Sequence, residues 1–147
     1  MTKSVIILNG PNLNLLGKRQ PNIYGNQTLD DIKVSCEKFC KNKGMNLDFR
    51  QTNSEGQLVN WIQESDNFCQ GMVINPGAYS HTSIAVMDAL LTCKFPIIEV
   101  HLSNIHRREE FRHNSFVSRA ATSVICGMGG VGYVLALEGL IFQLESN

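Results

Sequence analysis

The first candidate for proton chemistry is a long polar segment between Asn9 and Gly25, which carries Arg19 and Tyr24 five positions apart. A tyrosine acts as a general base only if its pKa falls from about 10 toward 7. A guanidinium nearby favours the phenolate and helps to lower that pKa. The segment is long for a strand-to-helix connection, so we expect a lid at about residues 18–25. The alternative is a surface tyrosine that packs on an arginine.

A second candidate is the pair Glu99 and His101, which are two positions apart in an apolar run. If this run is a strand, the alternation of side chains puts both residues on the same face. A carboxylate beside an imidazole can select its tautomer and raise its proton affinity, which is the arrangement of a general acid. A structural pair at the end of a strand remains the alternative.

Two further segments favour binding of a small anion. Asn75-Pro76-Gly77 is typical of a tight turn, and it leads to His81 at the start of a predicted helix. Three arginines, Arg107, Arg108 and Arg112, fall within six positions. A solvated helix face paired with Glu109 and Glu110 is the other interpretation of the arginines.

The glycine cluster at residues 127–132 follows the GxGxxG pattern of dinucleotide-binding proteins. Such a site also needs a further strand with an acidic residue about 20 positions on. The sequence up to Asn147 does not supply them. We therefore interpret the glycines as residues that let a helix pack closely on a strand.

Composition narrows the function classes. The 147 residues include 13 basic and 13 acidic side chains, so no basic excess is available to bind nucleic acid. The charged fraction of 18% is low, which favours burial of some surface between subunits. The five cysteines form no CxxC pair, and no apolar run is long enough for a signal peptide or a membrane span. We expect a cytoplasmic protein with reduced thiols, no membrane contact and no metal site.

Strand-like and helix-period segments alternate along the whole chain. This order predicts a parallel sheet with right-handed crossovers, and five strands of this kind suit a single-domain (residues 1–147) α/β three-layer sandwich of the flavodoxin-like type. The candidate residues follow the strands, at the edge where such sheets bind ligands. The predicted strands are residues 4–8, 46–51, 71–74, 96–100 and 123–126, and the predicted helices are residues 29–43, 54–65, 82–92, about 105–111 and from the glycines to about 144.

The sequence resembles the type II 3-dehydroquinate dehydratases over nearly its whole length. Many short stretches match the family in order and with the correct spacing. No single one of these motifs would be specific enough to indicate the family. They are residues 8–17, 19, 21, 24–25, 51–56, 74–79, 81–83, 85, 88–89, 96, 99–104, 108–109, 111–112, 132–133 and 135–137. Arg107 stands where the family often has a small residue.

The resemblance implies roles for twelve positions in the anti elimination of water from 3-dehydroquinate through an enolate. Tyr24 would be the base and Arg19 would hold it as phenolate, while Asn12 would stabilise the enolate. His101 would protonate the leaving hydroxyl, oriented by Glu99. The remaining positions would bind substrate or close the lid: Asn75 with the backbone of Leu102 and Ser103 at the carboxylate, His81 and Arg112 at ring hydroxyls, Asp88 from a neighbouring subunit, and Arg108 at the lid.

The resemblance also implies a dodecamer built as a tetramer of trimers, with no metal and no organic cofactor. Two other classes stay open. One is a flavodoxin-like module that binds a nucleotide or a flavin, which would purify with a bound chromophore. The other is an inactive relative that serves as a structural oligomer, although every matched catalytic position is intact.

Overall fold

Five parallel strands form one sheet in the order β2-β1-β3-β4-β5. The structure is a computed structural model that describes residues 2–18, 22 and 26–146. This strand order is that of flavodoxin-like folds, so the predicted architecture is confirmed. The strands are β1 (Ser4–Asn9), β2 (Asn46–Gln51), β3 (Gly71–Asn75), β4 (Ile97–His101) and β5 (Ser123–Cys126).

In the residues that the structure describes, four α-helices cover the two faces of the sheet. Alternate residues of β1 separate the two cores: Val5 and Ile7 pack on α1 and α4, whereas Ile6 and Leu8 pack on α2 and α3. Because successive side chains of a strand point to opposite faces, a continuous apolar run fills both cores. The helices are α1 (Leu29–Asn42), α2 (Glu55–Ser65), α3 (Ile84–Leu91) and α4 (Val131–Glu145).

The helix ends follow local chemistry. Gly44 has a φ of 68° just after α1, so the helix ends at a residue in the left-handed conformation that glycine adopts readily. The spacing of Ser54 and Gln57 suits a capping box at the start of α2, but only half of it forms. Ser54 accepts the N–H of Gln57, but the Gln57 side chain bonds Thr52 instead of reaching back to the Ser54 backbone. A complete capping box occurs at α1, between Thr28 and Asp31.

The predicted short helix near residues 105–111 was wrong. The chain forms two separate 3-10 turns there, Ile105–Arg107 and Glu110–Arg112. Asn104 caps the first turn by accepting the N–H of His106, and the extended backbone at Arg108 interrupts the helix. The remaining 3-10 turns are Leu13–Leu15, Gly77–Ser80 and Val117–Arg119.

All five cysteines are free thiols. Burial raises the pKa of Cys36 to about 12 and that of Cys40 to about 11, so both stay protonated at neutral pH. In the part of the chain that the structure describes, no helix has the length and apolar character needed to span a membrane.

Candidate active site

A cleft opens beyond the carboxyl ends of β1, β3 and β4. The chain leaves β1 toward β2 on one side and returns to β3 on the other, so the cleft lies at the switch point where such sheets bind ligands. Its walls approach closely, since a Cβ atom on Gly10 would lie 2.4 Å from the carbonyl oxygen of Pro76. The cleft is lined by Pro11, Asn12, Leu13, Leu15, Leu16, Asn75, Gly77, Ala78, Ser80, His81, His101, Leu102, Ser103, Ile105, Arg108 and Arg112.

The cleft brings together eight of the twelve predicted positions. These are Asn12, Asn75, His81, His101, Leu102, Ser103, Arg108 and Arg112. Glu99 lies behind His101, and Asp88 lies outside the cleft on an exposed helix face. Arg19 and Tyr24, with most of the expected lid, lie outside the described residues.

Glu99 and His101 form the buried pair that their spacing predicts. The Nε2 atom of His101 lies 2.5 Å from Oε2 of Glu99, and Glu99 is fully buried. Two hydroxyls also donate hydrogen bonds to the carboxylate: Ser115 donates to Oε2 at 2.7 Å, and Ser118 donates to Oε1 at 2.5 Å. With its oxygens bonded in this way, the carboxylate cannot turn away from the imidazole.

The charge of Glu99 is maintained by these partners. Burial acts to raise the pKa of Glu99, but the hydrogen bond and charge of His101 and the hydroxyls of Ser118 and Ser115 lower it more. The net result is a pKa below the usual range for glutamate. Glu99 is therefore an anion at neutral pH, and its hydrogen bond orients His101.

Asn12 sits at the mouth of the cleft in a left-handed conformation, with a φ of 69°. Its backbone N–H donates to Oδ1 of Asn53 at 3.0 Å, and that oxygen also accepts from Nε2 of Gln51 at 3.1 Å. Tyr79 donates its hydroxyl to the backbone oxygen of Asn53 at 2.9 Å. Asparagine tolerates this backbone conformation better than most residues, and the loop after β2 holds it in place.

Asn75 ends β3 with its side chain held at both ends. Oδ1 accepts the backbone N–H of Gly77 at 3.1 Å, and Nδ2 donates to the hydroxyl of Tyr133 at 2.9 Å. Gly77 has a φ of 57°, and a Cβ atom there would lie 3.1 Å from the backbone oxygen of Pro11. A side chain at Gly77 would therefore disturb both this turn and the opposite wall of the cleft.

The arginines of the cleft are arranged around one acid. Nε of Arg112 donates to Oε1 of Glu109 at 2.9 Å, and Nε of Arg108 lies 3.7 Å from the same oxygen. Both arginines are among the residues that line the cleft. Two cations beside one exposed carboxylate leave a net positive charge, which suits an anionic ligand.

His81 lies in the connection before α3 and not at a helix start, so that part of the prediction was wrong. Ser83 is the N-cap of α3, and the helix begins at Ile84. Burial lowers the pKa of His81, and the charges of Arg112, His101 and Arg108 lower it further. A neutral imidazole at this wall can exchange hydrogen bonds with a hydroxyl group.

Asp88 is exposed on α3 and does not line the cleft. Ile84 and Leu91 share its helix face, four positions before and three after, and are 53% and 57% exposed. An exposed acid between two exposed apolar residues is compatible with contact to another subunit. The role of Asp88 in a neighbouring site stays a prediction.

The glycine cluster follows β5 and runs into the first turn of α4, where Gly132 lies. Gly132 is buried, and a Cβ atom there would lie 3.3 Å from Cγ2 of Val100. This contact confirms close packing of α4 on the sheet. Among the described residues, no group of three His, Cys, Asp or Glu side chains could hold a metal ion.

Four residues that support the site carry no signal in the sequence. Ser115, Ser118, Asn53 and Tyr133 each bond a candidate residue or its neighbour. A buried carboxylate such as Glu99 requires several donors, so hydroxyl partners were to be expected in principle. Their identity depends on where the loop of residues 113–119 crosses β4, and no spacing in the sequence reveals that.

Comparison with known proteins identifies relatives along the whole chain. The family described as "Dehydroquinase class II" matches residues 3–141. A 3-dehydroquinate dehydratase of Brucella canis is 56% identical over 149 aligned positions, which cover 100% of this chain and 95% of the relative. The 3-dehydroquinate dehydratase 2 of Pseudomonas aeruginosa is 53% identical over 146 positions, which cover 99% of each chain.

Solved structures agree with this result. The crystal structure of type II dehydroquinase from Propionibacterium acnes superposes with a TM-score of 0.91 at 46% sequence identity. The superposition covers 95% of this chain and 97% of that one. The likeness therefore extends to the whole fold, including the strand ends that form the cleft.

Proposed function

The chain belongs to the class II dehydroquinase family, and we propose that it converts 3-dehydroquinate to 3-dehydroshikimate by anti elimination of water through an enolate. The observation that carries this proposal is the buried Glu99–His101 pair at the floor of a cationic cleft. The pair supplies an oriented acid, and the positive wall suits a substrate carboxylate.

The first step is removal of a proton beside the ketone. We assign it to Tyr24 as phenolate, with Arg19 as the cation that favours ionisation. Both assignments rest on their positions in the family's motif. Asn12, at the mouth of the cleft, would stabilise the enolate oxygen, helped by a water molecule.

The second step is departure of the hydroxyl group. His101 would donate a proton to this oxygen, so that water leaves as the enolate collapses to a carbon–carbon double bond conjugated with the ketone. Glu99 would orient the imidazole for this transfer through their hydrogen bond. The proton on Tyr24 then returns to solvent and His101 takes up another, which restores the starting state.

Binding of the substrate is divided among the walls of the cleft. Asn75 and the backbone N–H groups of Leu102 and Ser103 would hold the carboxylate. His81 and Arg112 would bind ring hydroxyls, and Arg108 would help the lid at about residues 18–25 to close. No step of this reaction requires a metal ion or an organic cofactor.

We further propose that the protein acts as a dodecamer, a tetramer of trimers, in which Asp88 completes a neighbouring site. The exposed α3 face of Ile84, Asp88 and Leu91 supports a subunit contact. A cytoplasmic location is compatible with the free thiols.

The activity is tested by mixing the purified protein with 3-dehydroquinate and following the ultraviolet absorption of the conjugated product. A protein without turnover would contradict the proposal. The mechanism is tested in heavy water by NMR of unreacted substrate. Tyr24→Phe should abolish deuterium uptake, whereas His101→Ala should block dehydration and still allow uptake.

A control variant and a test for a covalent intermediate check the roles assigned to Tyr24 and His101. Tyr79→Phe removes a hydroxyl that bonds the backbone of Asn53, and it should leave deuterium uptake intact. Loss of Tyr24 or His101 should slow turnover by on the order of 10²–10⁴. Uptake at the wild-type rate in Tyr24→Phe would mean that the base is another residue. Borohydride during turnover should leave the protein mass unchanged, because the mechanism contains no Schiff base.

A further inference from the structure

A continuous chain of hydrogen bonds, fully buried at its centre and partly buried at its two ends, links the cleft to the opposite side of β1. It begins at the backbone N–H of Gly77, passes through the side chains of Asn75, Tyr133 and Asn9, and ends at the backbone oxygen of Arg50. Its distances are 3.1, 2.9, 2.7 and 3.0 Å in that order. Asn9 and Asn75 are direct neighbours in the register of β1 and β3.

The direction of every bond in this chain is determined by its two ends. Gly77 can only donate from its backbone N–H, so the atom of Asn75 that faces it must be the oxygen. The Arg50 carbonyl can only accept, so Asn9 must present its nitrogen there and its oxygen to Tyr133.

The hydroxyl of Tyr133 joins the two halves. It must donate to Oδ1 of Asn9, and its oxygen must then accept from Nδ2 of Asn75. Within the part of the chain that the structure describes, Tyr133 is the only acceptor for Nδ2 of Asn75. The second N–H of that nitrogen is left for the cleft, which Asn75 lines.

We propose that Tyr133 is a positioning residue that orients the Asn75 amide so that an N–H, and not the carbonyl oxygen, faces the substrate carboxylate. Tyr133 is 0% exposed and lies at the start of α4, so it cannot touch the substrate itself. The inference rests on the proposed function for the identity of the anion, but the orientation of the amide follows from the hydrogen bonds alone.

Two features make Tyr133 suited to this role. Burial raises the pKa of its hydroxyl, so the group stays protonated and keeps donating to Asn9 throughout the neutral range. Its ring packs in the core beside Phe49, with the ring centroids 6.5 Å apart, which prevents the hydroxyl from moving. An inverted Asn75 amide would present its carbonyl oxygen to the cleft and repel a carboxylate.

A double-mutant cycle tests the proposal. Tyr133→Phe should lower kcat/KM roughly tenfold, mainly through KM, because the unsupported amide binds the carboxylate less well. In the Asn75→Ala background the same change should alter kcat/KM by less than about twofold, since the amide that Tyr133 orients is gone. An equal loss in both backgrounds would overturn the proposal, because a purely structural effect does not depend on Asn75.

Ser65→Ala is the matched control. It removes another fully buried hydroxyl, which donates to the backbone oxygen of Ile62 at 2.7 Å and does not line the cleft. This variant should be less stable than the wild type with unchanged kcat and KM. A rise in KM like that of Tyr133→Phe would show that loss of stability alone produces the effect.

A measurement without substrate separates this proposal from the proposed function. In the ligand-free protein, NMR should show slow solvent exchange for one of the two Asn75 side-chain amide protons, the one bonded to Tyr133. Tyr133→Phe should make that exchange faster. Unchanged exchange would reject the role of Tyr133, whereas a wild-type protein with the slow proton and no turnover would reject only the dehydratase function.

Discussion

The Nε2 atom of His101 lies 2.5 Å from Oε2 of Glu99, and the two side chains are 6% and 0% exposed. A hydrogen bond of this kind in a buried setting ties the orientation of the imidazole to that of the carboxylate. Ser115 and Ser118 donate hydrogen bonds to the carboxylate. The loop therefore holds Glu99, and Glu99 holds His101. Each of these contacts has a measurable consequence.

The pH dependence of stability should report the ionisation of Glu99. The pKa of Glu99 is lowered in the folded protein, so its charge contributes stability above the unfolded pKa of about 4.3, and that contribution disappears as the pH falls through the folded pKa. We expect the free energy of unfolding of the wild type to fall below about pH 4.5. In Glu99→Gln it should fall less steeply, as measured by urea unfolding at one protein concentration.

Glu109→Gln serves as the control for that experiment. The pKa of Glu109 is also lowered, by its own backbone N–H and by Arg112, but the side chain is exposed to solvent. Because solvent screens such contacts, the free energy of unfolding of Glu109→Gln should change with pH as steeply as that of the wild type. If the free energy of unfolding falls equally steeply with pH in the wild type and in Glu99→Gln, the assigned role of the Glu99 charge is contradicted.

Removal of the Ser118 hydroxyl should impair catalysis without touching the cleft. Ser118→Ala deletes one of three donors to Glu99 and should lower kcat roughly tenfold, the scale expected for a hydrogen bond to a charged group. Ser118→Thr keeps the hydroxyl and should restore most of the activity. The idea fails if alanine and threonine at this position give the same kcat in steady-state assays.

The titration of His81 should depend on Arg112. Burial and the charge of Arg112 lower the pKa of His81, so its NMR titration midpoint should lie below that of an exposed histidine. Arg112→Ala should move the midpoint upward, because a nearby positive charge is lost. Arg107→Ala is the control, since Arg107 is not among the charges that affect His81. A larger shift from Arg107 than from Arg112 would contradict this picture of the cleft.

The proposed role of Asp88 can be tested by mixing inactive subunits. Asp88→Ala should lower activity strongly while light scattering still reports a large symmetric oligomer. If Asp88 acts in a neighbouring site, joint reassembly of Asp88→Ala with Tyr24→Phe subunits should restore activity, because some sites then combine an intact Tyr24 with an intact Asp88. No gain on mixing would place the function of Asp88 within its own subunit or outside catalysis.

The sequence by itself determined the order of the elements and the location of the chemistry. Apolar runs with flanking turn residues marked all five strands, and their alternation with helices implied a parallel sheet. The shared face of Glu99 and His101 was predictable because the period of a strand is a property of the backbone. Asn75 and the loop after β4 were predictable as cleft residues because parallel strands end at a common edge.

Only the tertiary structure decided which groups support those residues. Tyr133 is 58 positions from Asn75 and 124 from Asn9, yet its hydroxyl bonds both. Ser115 and Ser118 reach Glu99 across 16 and 19 positions from an irregular loop. Strand and helix periods are local, so they reveal the face on which a residue lies. Contacts of this kind depend on how packed elements meet, and that is a property of the whole core.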